Sequence, residues 1–131
     1  KNVFITGGAG FIGSHCVISL FKNGFTPIIL DNFSNSHQSE IKKLEIITNR
    51  KITFYKVDIR DKKKLSLIFK KHSCYAVIHC AGFKAVAESI EKPISYFNNN
   101  IVSTMSLIEC MQENKIFKLI PTETILLGLF C

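Results

Sequence analysis

The longest unbroken apolar runs of this chain fall far below the ~18 residues that a membrane-spanning helix needs. Its first 20 residues also lack the basic-then-apolar layout of a secretory signal. These two absences predict a protein with no membrane partner, and the cysteines, read as reduced thiols, predict a cytoplasmic one. Paired CxxC spacing is missing as well: Cys16, Cys74, Cys80, Cys110 and Cys131 form an odd set in a chain too large and too apolar to need stapling, so reduced thiols are expected. His15, His37, His72 and His79 show no HxxxH or Cys/His spacing suited to a closed metal site, and no metal is expected. Proline is scarce, with three in 131 residues, and beside 47% apolar residues and 11 Phe this argues against disorder.

What is present is enough for one folded domain, burying roughly two thirds of the surface its unfolded chain exposes. The formal charge of +7 raises nucleic acid as a partner. The lysines sit at Lys42-Lys43, Lys62-Lys63-Lys64 and Lys70-Lys71, on the polar sides of amphipathic segments, with no aromatic residues alternating among them to stack bases. Solvated helix faces explain them, and no nucleic acid is expected.

Apolar runs without alternation predict buried strands over 2–6 (NVFIT), 26–30 (TPIIL), 52–57 (ITFYKV), 75–79 (YAVIH) and 116–120 (IFKLI). Helical spacing alternates with them. A helix over 11–23 carries Ile12, Cys16 and Leu20 on one stripe and stops at Asn23-Gly24. One over 37–49 carries Ile41, Leu44 and Ile47 or Thr48, and one over 61–72 carries Leu65, Ile68 and Phe69 behind an Asp61 cap. Pro93 opens a last helix, 94–114, expected to bury Phe97, Ile101, Met105 and Ile108. Alternating buried strands and helices require parallel pairing and right-handed crossovers. The predicted class is α/β, a Rossmann-type doubly wound parallel sheet of strand order 3-2-1-4-5. Asn98-Asn99-Asn100 is odd inside a helix, because Asn is a mediocre helix former, and it implies that at least one of these side chains has a task.

Between the first strand and the first helix stands TGGAGFIG, residues 6–13. Gly8-x-Gly10-x-x-Gly13 matches the dinucleotide fingerprint: one glycine for the tight turn, one for approach of the backbone to a pyrophosphate, one for close helix packing. The free amides of the helix start supply donors and a partial positive charge. Asp31 ends the second strand 21 positions after Gly10, near the ~20 expected for a carboxylate that accepts from an adenosine ribose. Such a carboxylate repels a 2′-phosphate, so NAD is favoured over NADP. A phosphate-binding P-loop is excluded by chemistry, since Gly13 is followed by Ser14 and no lysine reaches toward terminal phosphates. Asp58 ends the third strand and with Ile59 either meets an adenine or closes a plain strand-end turn. Cys80-Ala81-Gly82 follows the fourth strand at the topological switch point, where small residues let a cofactor pass closely.

Together TGGAGFIG, ILDN, VDIRD and VIHCAG resemble the amino-terminal half of the extended short-chain dehydrogenase/reductases. ILDNFSNS (29–36), AGFKAVAESIEKP (81–93) and YFNNNIVST (96–104) are similar, within that superfamily, to the UDP-glucose 4-epimerase family, over about residues 2–120. The resemblance implies that Gly7, Phe11 and Ile12 belong to the pyrophosphate turn and that Asp31, Asn32, Phe33, Ser34, Asn35 and Ser36 surround the adenosine ribose. It places Asp58 and Ile59 at the adenine, Cys80, Ala81, Gly82, Phe83 and Lys84 along the nicotinamide half, and Asn99 near the cofactor. It further implies a UDP-sugar partner for the full-length family, with a homodimer allowed there, and the interconversion of UDP-glucose and UDP-galactose in galactose metabolism. That chemistry runs through a 4-keto sugar and uses a serine after strand five and a Tyr-x-x-x-Lys pair.

Four positions after Tyr55, Tyr75 and Tyr96 stand Ile59, His79 and Asn100, so the 131 residues hold no Tyr-x-x-x-Lys, and no catalytic residue is assigned. After Ile120 the sequence reads PTETILLGLFC, where the family continues into a serine-rich segment; Thr122 and Thr124 are the hydroxyls available there. The expected organisation is therefore a partial NAD-binding domain over 1–120 and a divergent apolar tail over 121–131, without the sugar-nucleotide domain and without activity alone. The alternatives are a non-catalytic NAD-binding module and a fragment of another extended family member such as a nucleotide-sugar dehydratase.

Overall fold

The computed structural model describes residues 1–82 and 90–122. Strands β1 (Asn2–Thr6), β2 (Thr26–Asp31), β3 (Thr53–Lys56), β4 (Cys74–His79) and β5 (Leu119–Pro121) alternate with α1 (Phe11–Lys22), α2 (Ser39–Thr48), α3 (Lys62–Lys71), α4 (Pro93–Phe97), a π-helical segment (Asn98–Val102) and α5 (Ser103–Glu113). The five strands form one sheet in the order β3-β2-β1-β4-β5, every pair parallel. Phe4 stands opposite Ile28 on one side and Val77 on the other, and Ile5 opposite Ile29 and Ile78.

Because successive strand residues point to opposite faces, this register splits the apolar residues into two cores. Phe4, Ile28, Leu30 and Val77 pack with Leu65, Ile68 and Phe69 of α3 and Leu107, Cys110 and Met111 of α5. Ile5 and Ile29 pack with Val17 of α1 and Ile41 and Leu44 of α2. Burying each large aliphatic or aromatic side chain contributes about 1.5–3 kcal/mol before the entropy of ordering is counted. Strands covered on both faces explain the unbroken apolar runs.

Local chemistry sets the element ends. The Asp61 carboxylate accepts from the Lys64 amide and caps α3. Gly24, at φ 77°, lets the chain turn after α1. The lysine-rich helix faces are solvated, with Lys43 paired to Glu40, Lys62 to Glu109 and Lys64 to Asp61.

In α1 Ile12, Cys16 and Leu20 pack against the second core beside the fully buried Gly13 and Val17, and in α2 Thr48 is half-buried while Ile47 faces solvent. Other expectations are corrected. Ile52 and Val57 are buried, yet only Thr53–Lys56 join the ladder. Strand five begins at Leu119 rather than at 116: Lys115, at φ 57°, ends α5, and residues 116–118 connect, with Ile116 buried and Phe117 exposed. The single long helix is three segments, and its buried side is not the predicted one. Met105 and Ile108 are 57% and 45% exposed, while Asn100, Ser103, Leu107, Cys110 and Met111 face inward. That inward side packs Leu107, Cys110 and Met111 into the first core, and Thr104 beside it hydrogen-bonds to His79 of β4. The Phe97 side chain lies outside what is described.

Candidate functional site

The carboxyl ends of β1, β2, β3 and β4 open onto a cleft of about 270 Å³. It lies where the chain crosses from the β1-β2-β3 side of the sheet to β4, the switch point at which doubly wound folds bind ligands.

The turn from β1 to α1 forms its floor. Gly7 adopts φ 65° and donates from its amide to the Leu30 carbonyl at 2.8 Å, and a Cβ there would stand 2.8 Å from the Ala81 backbone. Gly10 donates to the Gly7 carbonyl at 3.1 Å, and a Cβ on Gly13 would stand 2.3 Å from that same oxygen. The glycines that shape the turn are therefore Gly7, Gly10 and Gly13. Gly8, read from the sequence as the tight-turn glycine, instead makes room for the Ile29 side chain. A Cβ on Gly10 would meet only the Gly7 oxygen, at 3.3 Å, so this residue keeps the cleft floor low. The amides of Phe11, Ile12 and Gly13, in the first turn of α1, have no acceptor within the helix. They form the partial positive pole that an anion would meet.

Asp31, 8% exposed, sits at the end of β2. One carboxylate oxygen accepts from the Ala9 amide at 3.0 Å, and the other from the Phe33 amide at 2.8 Å and the Ser36 hydroxyl at 3.1 Å. Three of its roughly four acceptor sites are engaged, which fixes the group and leaves capacity toward the cleft. It also ties the glycine turn to the loop after β2. Asn32 accepts from the Ser34 amide at 3.0 Å and steadies the same loop.

Asp58 follows β3 and is held by Arg60, whose Nε and terminal nitrogen donate at 2.9 and 2.5 Å and whose backbone amide donates at 2.9 Å. These bonds hold its carboxyl below the usual range against the opposing effect of burial. Val57 and Ile59, both buried, flank it and give this end of the cleft an apolar wall beside one carboxylate.

Cys80, Ala81 and Gly82 line the opposite side, after β4. Asn99 faces them from the π-helical segment and donates to the Asn100 side chain at 3.1 Å. The odd asparagine run thus has two tasks, one residue lining the cleft and the next buried. At its entry Phe11 is 81% exposed and packs edge-on against His15.

Of the residues singled out in the sequence, Gly7, Gly10, Phe11, Asp31, Asn32, Ser34, Asn35, Ser36, Asp58, Ile59, Cys80, Ala81, Gly82 and Asn99 line the cleft. Gly8, Ile12, Gly13 and Phe33 do not. They support it from behind; Phe33, at φ 56°, packs its ring on Phe54. Phe83, Lys84 and Thr124 lie outside the described residues. Leu30, Val57 and Ser103 also line the cleft and were missed. Leu30 and Val57 directly precede the two strand-end aspartates, and Ser103 follows Asn99 by one helical turn, so each stood beside a signal already read. Thr122 donates its hydroxyl to the His79 carbonyl at 3.2 Å, as does its amide at 3.1 Å. Among the described residues no group of three or more His, Cys, Asp or Glu is placed to hold a metal, and no helix is long and apolar enough to cross a membrane.

Residues 4–124 match the model of the GDP-mannose 4,6 dehydratase family. The chain belongs to that family. This fits the extended short-chain dehydrogenase/reductase character read from the sequence. Its curated relatives include the UDP-glucose 4-epimerase of Dictyostelium discoideum, 48% identical over 118 residues that make up 90% of this chain and 34% of that protein. Among solved structures, UDP-glucose 4-epimerase from Bifidobacterium longum in complex with NAD+ and UDP superposes with a TM-score of 0.90 at 38% identity, covering 93% of this chain and 36% of the other. The Stenotrophomonas maltophila enzyme, with bound NAD and formylated UDP-arabinopyranose, gives 0.90 at 36% identity over 92% of this chain and 36% of the other. The chain spans about a third of the length of these relatives and corresponds to their amino-terminal portion.

Proposed function

We propose that this chain is the NAD-binding portion of a UDP-glucose 4-epimerase, with residues 1–120 forming the cofactor domain. The observation that carries the reading is the pairing of an anion-attracting helix start at Phe11–Gly13 with the fixed Asp31 carboxylate in one cleft. Those two features suit the two ends of an adenosine diphosphate moiety. Amides meet the pyrophosphate, and the remaining acceptor capacity of Asp31 meets ribose hydroxyls. Asp58 with Val57 and Ile59 would take the adenine, one polar edge between apolar walls. Cys80, Ala81, Gly82, Asn99 and Ser103 would take the nicotinamide half. A buried carboxylate at the ribose disfavours a 2′-phosphate, so the cofactor is NAD.

When bound, NAD supplies the removal of hydride from a sugar carbon and its return. This chain's own residues bind and orient the cofactor. In the whole protein the outcome is the interconversion of UDP-glucose and UDP-galactose, set in the galactose pathway and the cytoplasm. The description of the family model favours one second reading, a nucleotide-sugar dehydratase that would use the same cofactor cradle.

Differential scanning fluorimetry tests the cofactor reading. NAD should raise the melting temperature by mass action on the folded state, and NADP should raise it less. In Asp31→Asn the preference should narrow. Equal shifts by the two nucleotides in the parent chain contradict the ribose assignment.

A further inference from the structure

His79 closes β4 with none of its surface exposed, and Cys80, which follows it, lines the cleft. Its Nδ1 lies 2.5 Å from the Thr6 hydroxyl and its Nε2 2.8 Å from the Thr104 hydroxyl. The protons on this chain can be assigned from its two ends. The Ala81 amide donates to Thr6 Oγ1 at 3.3 Å, which leaves the Thr6 proton free to donate to Nδ1. The Thr104 hydroxyl donates to the Asn100 carbonyl at 2.5 Å, so its oxygen must accept from Nε2. Only a neutral ring with its proton on Nε2 satisfies both ends. The other tautomer would require the Thr104 hydroxyl to donate to the ring and abandon Asn100, while Thr6 would receive two donors with no second acceptor for its own proton among the described residues. A doubly protonated ring would likewise bring two donors onto Thr6. Burial opposes that charge and pushes the imidazole down to about 4.

The donors thus all run one way, from Ala81 through Thr6, His79 and Thr104 to the carbonyl of Asn100. The first residue lines the cleft, and the last belongs to the π-helical segment that carries Asn99. Ser103 donates its hydroxyl to the Asn99 carbonyl, so a second side chain secures the same widened turn. An apolar residue would fill the volume of His79 but could join neither hydroxyl. We infer that His79 is a positioning residue, whose neutral Nε2-protonated ring holds Asn99 and Ser103 in register with Ala81 and Gly82 across the cleft. The inference rests on reading the cleft as a dinucleotide site, and it assigns His79 to the nicotinamide side alone.

The test uses the 131-residue chain with His79→Leu, His79→Gln and Thr104→Val, titrated calorimetrically with NAD and with ADP, which reaches only the glycine turn, Asp31 and Asp58. His79→Leu and Thr104→Val should weaken NAD roughly tenfold, the scale of one lost buried hydrogen bond, and leave ADP within about twofold. His79→Gln, whose amide accepts at one atom and donates at the other, should recover most of the NAD affinity. Nitrogen-detected NMR of the parent should show an unprotonated Nδ1 and a protonated Nε2. In ligand-free Thr104→Val the Asn99 and Ser103 amide signals should move. Equal loss of NAD and ADP in Thr104→Val, unchanged NAD affinity, the opposite tautomer or unmoved Asn99 and Ser103 signals would each overturn the inference. If the parent binds neither nucleotide, the dinucleotide reading fails instead, and the two ligand-free NMR measurements still decide the role of His79.

Discussion

Replacing Gly7 by alanine challenges the close approach of the β1–α1 turn to the loop after β4, and Gly24 provides the matched control. Both residues sit at positive φ, 65° and 77°, where a side chain costs about 1–2 kcal/mol. The space around them differs. A Cβ at Gly7 would stand 2.8 Å from the Ala81 Cα and nitrogen and 2.9 Å from the Cys80 carbonyl carbon, whereas a Cβ at Gly24 meets nothing within 4 Å. The Gly7 contacts fall roughly 0.7 Å short of ordinary van der Waals separation and involve backbone, so the two loops must part. Overpacking of that kind costs about 1–3 kcal/mol. Gly7→Ala should therefore lose about 2–5 kcal/mol, and Gly24→Ala about 1–2, with the gain from a stiffer unfolded chain common to both. Urea unfolding followed by circular dichroism reads the difference as a shift in midpoint at constant slope. Equal losses in the two variants would refute the claim that the β1–α1 turn and the loop after β4 are in obligatory contact.

Other perturbations separate folding from binding. Acid should weaken the fold through His79: an unfolded imidazole takes a proton near pH 6.5, whereas the folded one resists until about 4. The contribution is full above pH 6.5, falls as pH drops toward 4, and amounts to about 3 kcal/mol. The stability of His79→Gln should lack this part of the pH slope, and parallel slopes for variant and parent would contradict it. Gly10→Val should lose less urea stability than Gly7→Ala, since a Cβ there meets only the Gly7 oxygen, at 3.3 Å, but should abolish NAD binding in calorimetry; retained affinity would remove Gly10 from the cofactor floor. Leu107→Ala, at a fully buried position of the first core, should cost about 2–5 kcal/mol in the same urea assay. A loss below about 1 kcal/mol would mean that α5 is not docked through this residue.

The legible parts of the fold are those where burial and backbone pairing coincide. The residues of β1, β2 and β4 are covered on both faces, so their apolar runs mark the strands directly, and the doubly wound rule then supplies the order of the sheet. Where burial and pairing separate, apolar pattern misleads. Ile116 is buried as a connector, Ile52 and Val57 are buried beyond the ends of β3, and Ile120 is exposed within the edge strand. The inward side of α5 was not legible because apolar residues stand on both sides of it: Leu107 and Met111 enter the core while Met105 and Ile108 face solvent, and the partners of Thr104 and Ser103 on the inward side lie in separate elements or backbone carbonyls. The acidic residues of the cleft were legible because strand-end position and chemistry coincide at Asp31 and Asp58. The operative glycine spacing was not, since which of Gly7 and Gly8 carries the positive φ depends on the close approach of Ala81 and Ile29.

The central claim is that one cleft, from the glycine turn to the π-helical segment, receives a whole dinucleotide. Titrating the isotope-labelled chain with NAD and following backbone amide signals tests it most directly. The account predicts saturable shifts that appear together at Phe11 and Ile12, at Asp31 to Ser36, at Asp58 and Ile59, at Ala81 and Gly82, and at Asn99. Shifts centred on the lysine-rich face of α3, or no saturable shift at these positions, would contradict it.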